Sequence, residues 1–194
     1  MNENLIKEKS GNYFSEKKYL ERSNPKSHID LSKEIDDKFN IKTHIDSDRD
    51  YGHSKNFLMI LNPEFGILSG DYDYLIDSEK VMLEKTNHNK HWSVYFKLSH
   101  IDNIACYILN SRSIIDNDID VEECPEDDFP EEITQQLHAI LDVFYKQKWS
   151  VTNFNQLEKE KRDWLDSTFH FKGYQPSLAD ILFGSFEFYS AAGI

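Results

Sequence analysis

The chain has 194 residues, enough for one domain, and its hydrophobic content of 39% lies below the globular norm of roughly 45–50%. Thirteen Phe and ten Tyr offset that shortfall, because each aromatic ring buries a large area. A net charge of −13 disfavours direct binding to nucleic acid, no apolar run approaches a membrane span, and two cysteines give neither a disulfide framework nor a zinc pattern.

The opening MNENLIKEKSGNYF lacks the apolar stretch of a signal peptide, so a cytoplasmic location is expected. Residues 1–50 read as a polar, partly helical arm, and residues 51–194 as a single α+β domain. In the arm, Leu31, Ile35 and Phe39 support a short helix capped by Asp30 or Ser32, after a turn at Asn24-Pro25. Asn56 to Asn62 is a continuous apolar run, which predicts a buried strand. Tyr72 to Ile76 and Lys80 to Lys85 read as two further strands, and Thr86 to Lys90 as a hairpin loop.

His91 to Leu98 alternates, with Trp92, Val94, Phe96 and Leu98 on one face. Ile104 to Asn110 is the next strand. A five-residue loop would set Leu98 against Ile104 and His91 against Ser111, with Ile104, Cys106 and Ile108 on the apolar face. Five strands with short links predict an antiparallel β-meander.

Residues 116–132 hold ten Asp or Glu and no Lys or Arg, and the quarter 101–150 has three basic residues against twelve acidic ones. Such a run is expected to be a solvated loop. Asp128, Pro130 and Glu131 then carry helix-start signals, ahead of a stripe of Ile133, Leu137, Ile140, Leu141 and Phe144. Asn153 and Gln156 stand at cap spacing before a helix that includes Leu157, Trp164 and Leu165. Ser177 and Asp180 do the same before Leu178, Ile181, Leu182, Phe186 and Tyr189. Strands first and helices last predict α+β, with C-terminal helices on one face of the sheet.

Three sets of residues could carry chemistry. His91 opposite Ser111, with Asn110 adjacent, could be the base and nucleophile of a hydrolase or transferase. The pairs His91-Trp92 and Asn110-Ser111 resemble the His-Trp and Asp-Ser strands of ubiquitin-like-protein-specific cysteine proteases. That resemblance implies a base at His91, with Asn110 where the family has Asp. It also implies a later strand and helix leading to a Gln and a catalytic Cys. No cysteine follows Cys124, so the implied relative is an inactive one.

The second set, Asp116, Asp118, Asp120 and Asp127, has calcium-loop spacing, but Val121 stands where a Gly is needed and Pro125 interrupts the loop. The third, His88, His91 and His100, cannot converge from one hairpin. No metal and no cofactor is therefore expected. The aromatic tail, FHFKGYQP and FGSFEFYS, reads as core.

The charge pattern favours a basic protein partner, met by Asp116, Asp118, Asp120, Glu122, Glu123, Asp127 and Asp128. By analogy of size and charge, the expected function is that of an inhibitor or immunity-type protein engaging a toxin or nuclease. No nucleic-acid or membrane partner is expected.

Overall fold

The structure is a computed structural model and describes residues 3–16, 25–47, 54–85, 90–115, 118–159 and 177–184. Helices α1 (Glu3–Ser15) and α2 (Lys26–Phe39) come first, followed by strands β1 (Asp46–Ser47), β2 (Ser54–Asn62) and β3 (Gly66–Ser69). Helix α3 (Tyr72–Lys85) leads to β4 (Lys90–Ser99), β5 (Ile104–Ile115) and β6 (Asp118–Glu123). A 3-10 turn (Glu126–Asp128) then precedes α4 (Glu131–Lys146), β7 (Ser150–Asn153), α5 (Phe154–Lys159) and α6 (Leu178–Phe183). The class is α+β, with a sheet that is mostly antiparallel and runs β1-β2-β4-β5-β6. β3 pairs with β2, and β7 lies parallel to β5 over Ile104–Tyr107.

The apolar run Asn56–Asn62 forms strand β2, buried throughout except at Leu58. A strand with both faces buried needs cover on both sides. On one face Phe57, Met59, Val94, Phe96, Ala105 and Leu109 pack with Leu31 and Ile35 of α2 and the whole predicted stripe of α4. Phe96 stacks on Phe57 at 5.0 Å and on Phe144 at 4.8 Å between ring centroids. Lys38 ties α2 to α4 by donating to the Ala139 carbonyl at 2.8 Å. On the other face Ile104 and Cys106 pack with residues of α1, α5 and α6, while Ile60 packs with Leu75 and Met82 of α3. The helices therefore cover both faces, not one.

Four expectations on local structure are corrected. The strands predicted at Tyr72–Ile76 and Lys80–Lys85 form the single helix α3, which interrupts the meander. Asp71 starts it by accepting the Tyr74 N–H at 2.9 Å, a side-chain N-cap. Strand β4 meets β5 one residue away from the expected register, with Leu98 against Ala105 and His91 against Arg112. The loop is longer because its polar groups are used internally: Ile101 N–H donates to Ser99 Oγ and Ile104 N–H to the Asp102 carbonyl. Helix α4 starts at Pro130, without a side-chain cap from Asp128, and α2 starts at Pro25, ahead of Asp30 and Ser32.

Other local signals act as read. Ser177 and Asp180 form a full capping box, with Ser177 N–H on the Asp180 carboxylate at 2.7 Å and Asp180 N–H on Ser177 Oγ at 3.2 Å. Ser177→Ala is expected to cost about 1 kcal/mol, read as a lower midpoint in urea melts with unchanged slope. Cys106 is a buried small hydrophobe, and burial pushes its thiol far above the usual range. The helix stripe at Leu178, Ile181 and Leu182 is core, whereas Phe186, Tyr189, Trp164 and Leu165 lie outside the described residues, as do Asn24, His88 and the loop 86–89.

Candidate functional site

The acidic run is structured for most of its length. Asp118–Glu123, expected as a solvated loop, is a strand pairing with the second half of β5, from Asn110↔Glu123 to Ile115↔Asp118. Its alternation of Asp/Glu with Ile119 and Val121 gives it a strand period that the charge count conceals. Pro125 then turns the chain into the 3-10 turn of Glu126, Asp127 and Asp128, and Phe129 anchors that turn in the main core.

Among the described residues, no strand pairs with the outer side of β6. The bond from Cys124 N–H to the Leu109 carbonyl, 3.0 Å, shows which residues face inward. By antiparallel alternation, the even-numbered residues of β6 bond to β5, while Ile119, Val121 and Glu123 direct their N–H and C=O groups outward. Val121, Glu122 and Glu123 are exposed, as are Asp127 and Asp128. Asp120 is half-buried opposite Ser113, and Asp116 lies outside the described residues.

Two of these acids have internal partners. Glu123 accepts from the Asn155 amide, and Glu126 accepts from His138 Nε2 at 2.9 Å and from the Tyr107 hydroxyl at 3.4 Å. Burial and the Glu126 charge push the Tyr107 hydroxyl up to about 12. Asp120, Glu122, Asp127 and Asp128 form no ion pair with any described residue. The calcium-loop spacing does not produce a loop, because Asp118 and Asp120 are strand residues and Asp127 belongs to a separate turn.

The His91, Ser111 and Asn110 set does not assemble as expected. His91 pairs with Arg112 while Ser111 pairs with Trp92, so His91 and Ser111 project to opposite faces of the sheet. His91 is fully buried rather than on a solvated face. Its Nδ1 accepts from Asn62 Nδ2 at 2.8 Å. The orientation of that amide follows from its other end, where Asn62 Oδ1 accepts the N–H groups of Glu64 and Phe65. The ring proton of neutral His91 therefore sits on Nε2. A shallow groove of about 470 Å³ lies between α3 and the β2–β3 turn, and another of about 540 Å³ between α2 and α4. His91 lines neither.

One pair was not foreseen. Glu79 of α3 is buried and takes a two-pronged contact from Arg112, Nε–Oε1 at 2.7 Å and Nη2–Oε2 at 2.9 Å. Its signal in the sequence is the spacing Leu75, Glu79, Met82, a helical stripe with a carboxylate in the middle.

No family model, no curated protein and no solved structure matches the chain. Among the described residues no helix is long and apolar enough to cross a membrane.

Proposed function

We propose that the protein is a binding module that receives a basic segment of another protein along the β6 edge and the turn after it. The observation that carries this reading is that, among the described residues, the most acidic part of the chain forms an open sheet edge. An open edge offers a row of main-chain donors and acceptors to an added strand. Asp120, Glu122, Asp127 and Asp128 add negative charge that no described cation neutralises. Such charge speeds encounter with a basic partner and selects against acidic ones. Strand pairing then fixes the register, and Val121, 46% exposed, supplies an apolar contact between the charges. The partner is a basic toxin or nuclease, and the module acts as its inhibitor, in the manner of immunity proteins.

The test starts with affinity capture from a lysate of the source organism at low and high salt. A basic protein retained at low salt and lost at high salt is the expected result, because exposed charges are screened over about 10 Å at 0.1 M. Binding of that protein is then measured with Asp120→Asn, Glu122→Gln, Asp127→Asn and Asp128→Asn combined. Affinity is expected to fall roughly tenfold or more, mostly through slower association. Unchanged affinity in the folded quadruple variant would overturn the reading.

A further inference from the structure

The face of the sheet beneath α3 holds more polar groups than a structural core needs. Asn62, His91, Ser93 and Arg112 share that face by register, with His91 beside both Asn62 and Arg112, and Ser93 diagonal to Arg112. His91 and Ser93 are fully buried. Ser93 Oγ has no hydrogen-bond partner, an arrangement that calls for a physical explanation in a native core. Arg112 reaches across to a single acceptor, Glu79, which lies between Leu75 and Met82 on the inward stripe of α3. An apolar residue at position 79 would complete that stripe. A carboxylate there instead meets a guanidinium fork, whose geometry matches carboxylates and phosphates.

Among the described residues of the helix that brings Glu79, Leu75 and Met82 are buried on Ile60 with Leu58 and Leu68 beside them, while Tyr74 and Val81 remain about half exposed along a groove. By contrast α4 buries six apolar residues.

We propose that Arg112, His91, Asn62 and Ser93 form an oxoanion-binding site, and that the Glu79 carboxylate occupies it as a built-in competitor while α3 is docked. The ligand is a compound or peptide bearing a carboxylate or phosphate, which takes the Arg112 fork as Glu79 swings out with α3. Ser93 Oγ–H supplies a further donor to its oxygens, and the His91 ring lies beside it. Asn62 acts through His91, holding its ring in place. Asp120 and Glu122 of the acidic edge share the opposite face with Ser111, while Val121 stands beside Arg112.

The experiment measures thermal stability and calorimetric binding of the full chain with inorganic phosphate, with acetate, and with chloride at matched ionic strength. In Glu79→Gln the competing charge is gone, and phosphate or acetate is expected to bind about tenfold or more tightly than to the wild type, as removal of a closed state predicts. Arg112→Met is expected to abolish the response in the same background. A preference for phosphate or for acetate assigns the ligand class. A folded Glu79→Gln protein that responds to neither anion overturns the proposal. Should that variant not fold, hydrogen exchange of wild-type α3 decides. Faster exchange confined to α3 in either anion supports the site, and exchange equal to that in chloride overturns it.

Discussion

Glu79→Ala is expected to destabilise the fold by about 3–5 kcal/mol, because it leaves the Arg112 guanidinium buried without its counter-charge. Glu79 is fully buried and the Arg112 side chain is 8% exposed. A guanidinium is a permanent cation in a protein. It must therefore stay buried and charged or drag β5 and α3 apart to reach water. At this chain length the loss corresponds to a melting point lower by roughly 10 °C. Circular dichroism melts and urea titrations measure it directly.

The double variant Glu79→Leu with Arg112→Met separates the cost of an orphaned charge from the value of the pair. Both replacements fill comparable space with apolar groups and complete the α3 stripe. It is expected to recover most of the loss, since a buried pair gains little over well-packed hydrophobes once desolvation is counted. A Glu79→Ala loss below about 1 kcal/mol would mean that α3 already stands open in solution, with Arg112 hydrated.

The same pair shows why part of the fold was legible in the sequence and part was not. The α4 stripe and the β2 run were legible because each presents a single unbroken apolar pattern. Helix α3 was not, because Glu79 interrupts its stripe and leaves Tyr72–Ile76 and Lys80–Lys85 looking like two short strands. The β4–β5 register was ambiguous for a different reason. Both alternations of β5, Ile104-Cys106-Ile108 and Ala105-Tyr107-Leu109, are apolar, since helices cover both faces of the sheet. Apolar periodicity chooses a register only where one face is wet. That one-residue shift separates His91 from Ser111 and joins it to Arg112 instead. In the acidic run, charge density outweighed the period-two alternation that makes it a strand. The seven acids of the predicted binding set were legible as a cluster, but the open edge that gives the cluster direction depends on pairing with β5, which composition does not encode.

Acidification is expected to remove about 3 kcal/mol of stability between pH 6.5 and pH 4 through His28 alone. This residue lies on the inner stripe of α2 with Leu31 and Ile35, and it is fully buried. Its Nε2 stands 3.0 Å from the Ser99 carbonyl. A carbonyl only accepts, so Nε2 carries the proton of the neutral ring, and the buried Nδ1 has no hydrogen-bond partner. Protonating Nδ1 would place a charge and an unmatched N–H in the core. The rings of Trp149 and His100 lie 5.3 and 5.1 Å away, and neither offers a carboxylate. Burial accordingly lowers the His28 pKa to about 4, with the Ser99 bond opposing the shift and the Lys55 charge adding to it. The folded state thus binds its proton later than the unfolded chain, whose histidine titrates near 6.5. Stability from this group is complete above that value and falls as the pH drops toward 4. His28→Phe keeps an aromatic ring in place and removes the titration. Urea midpoints across this pH range should therefore fall steeply for the wild type and less steeply for the variant. Parallel curves for the two proteins would mean that the ring of His28 reaches water on α2 in solution.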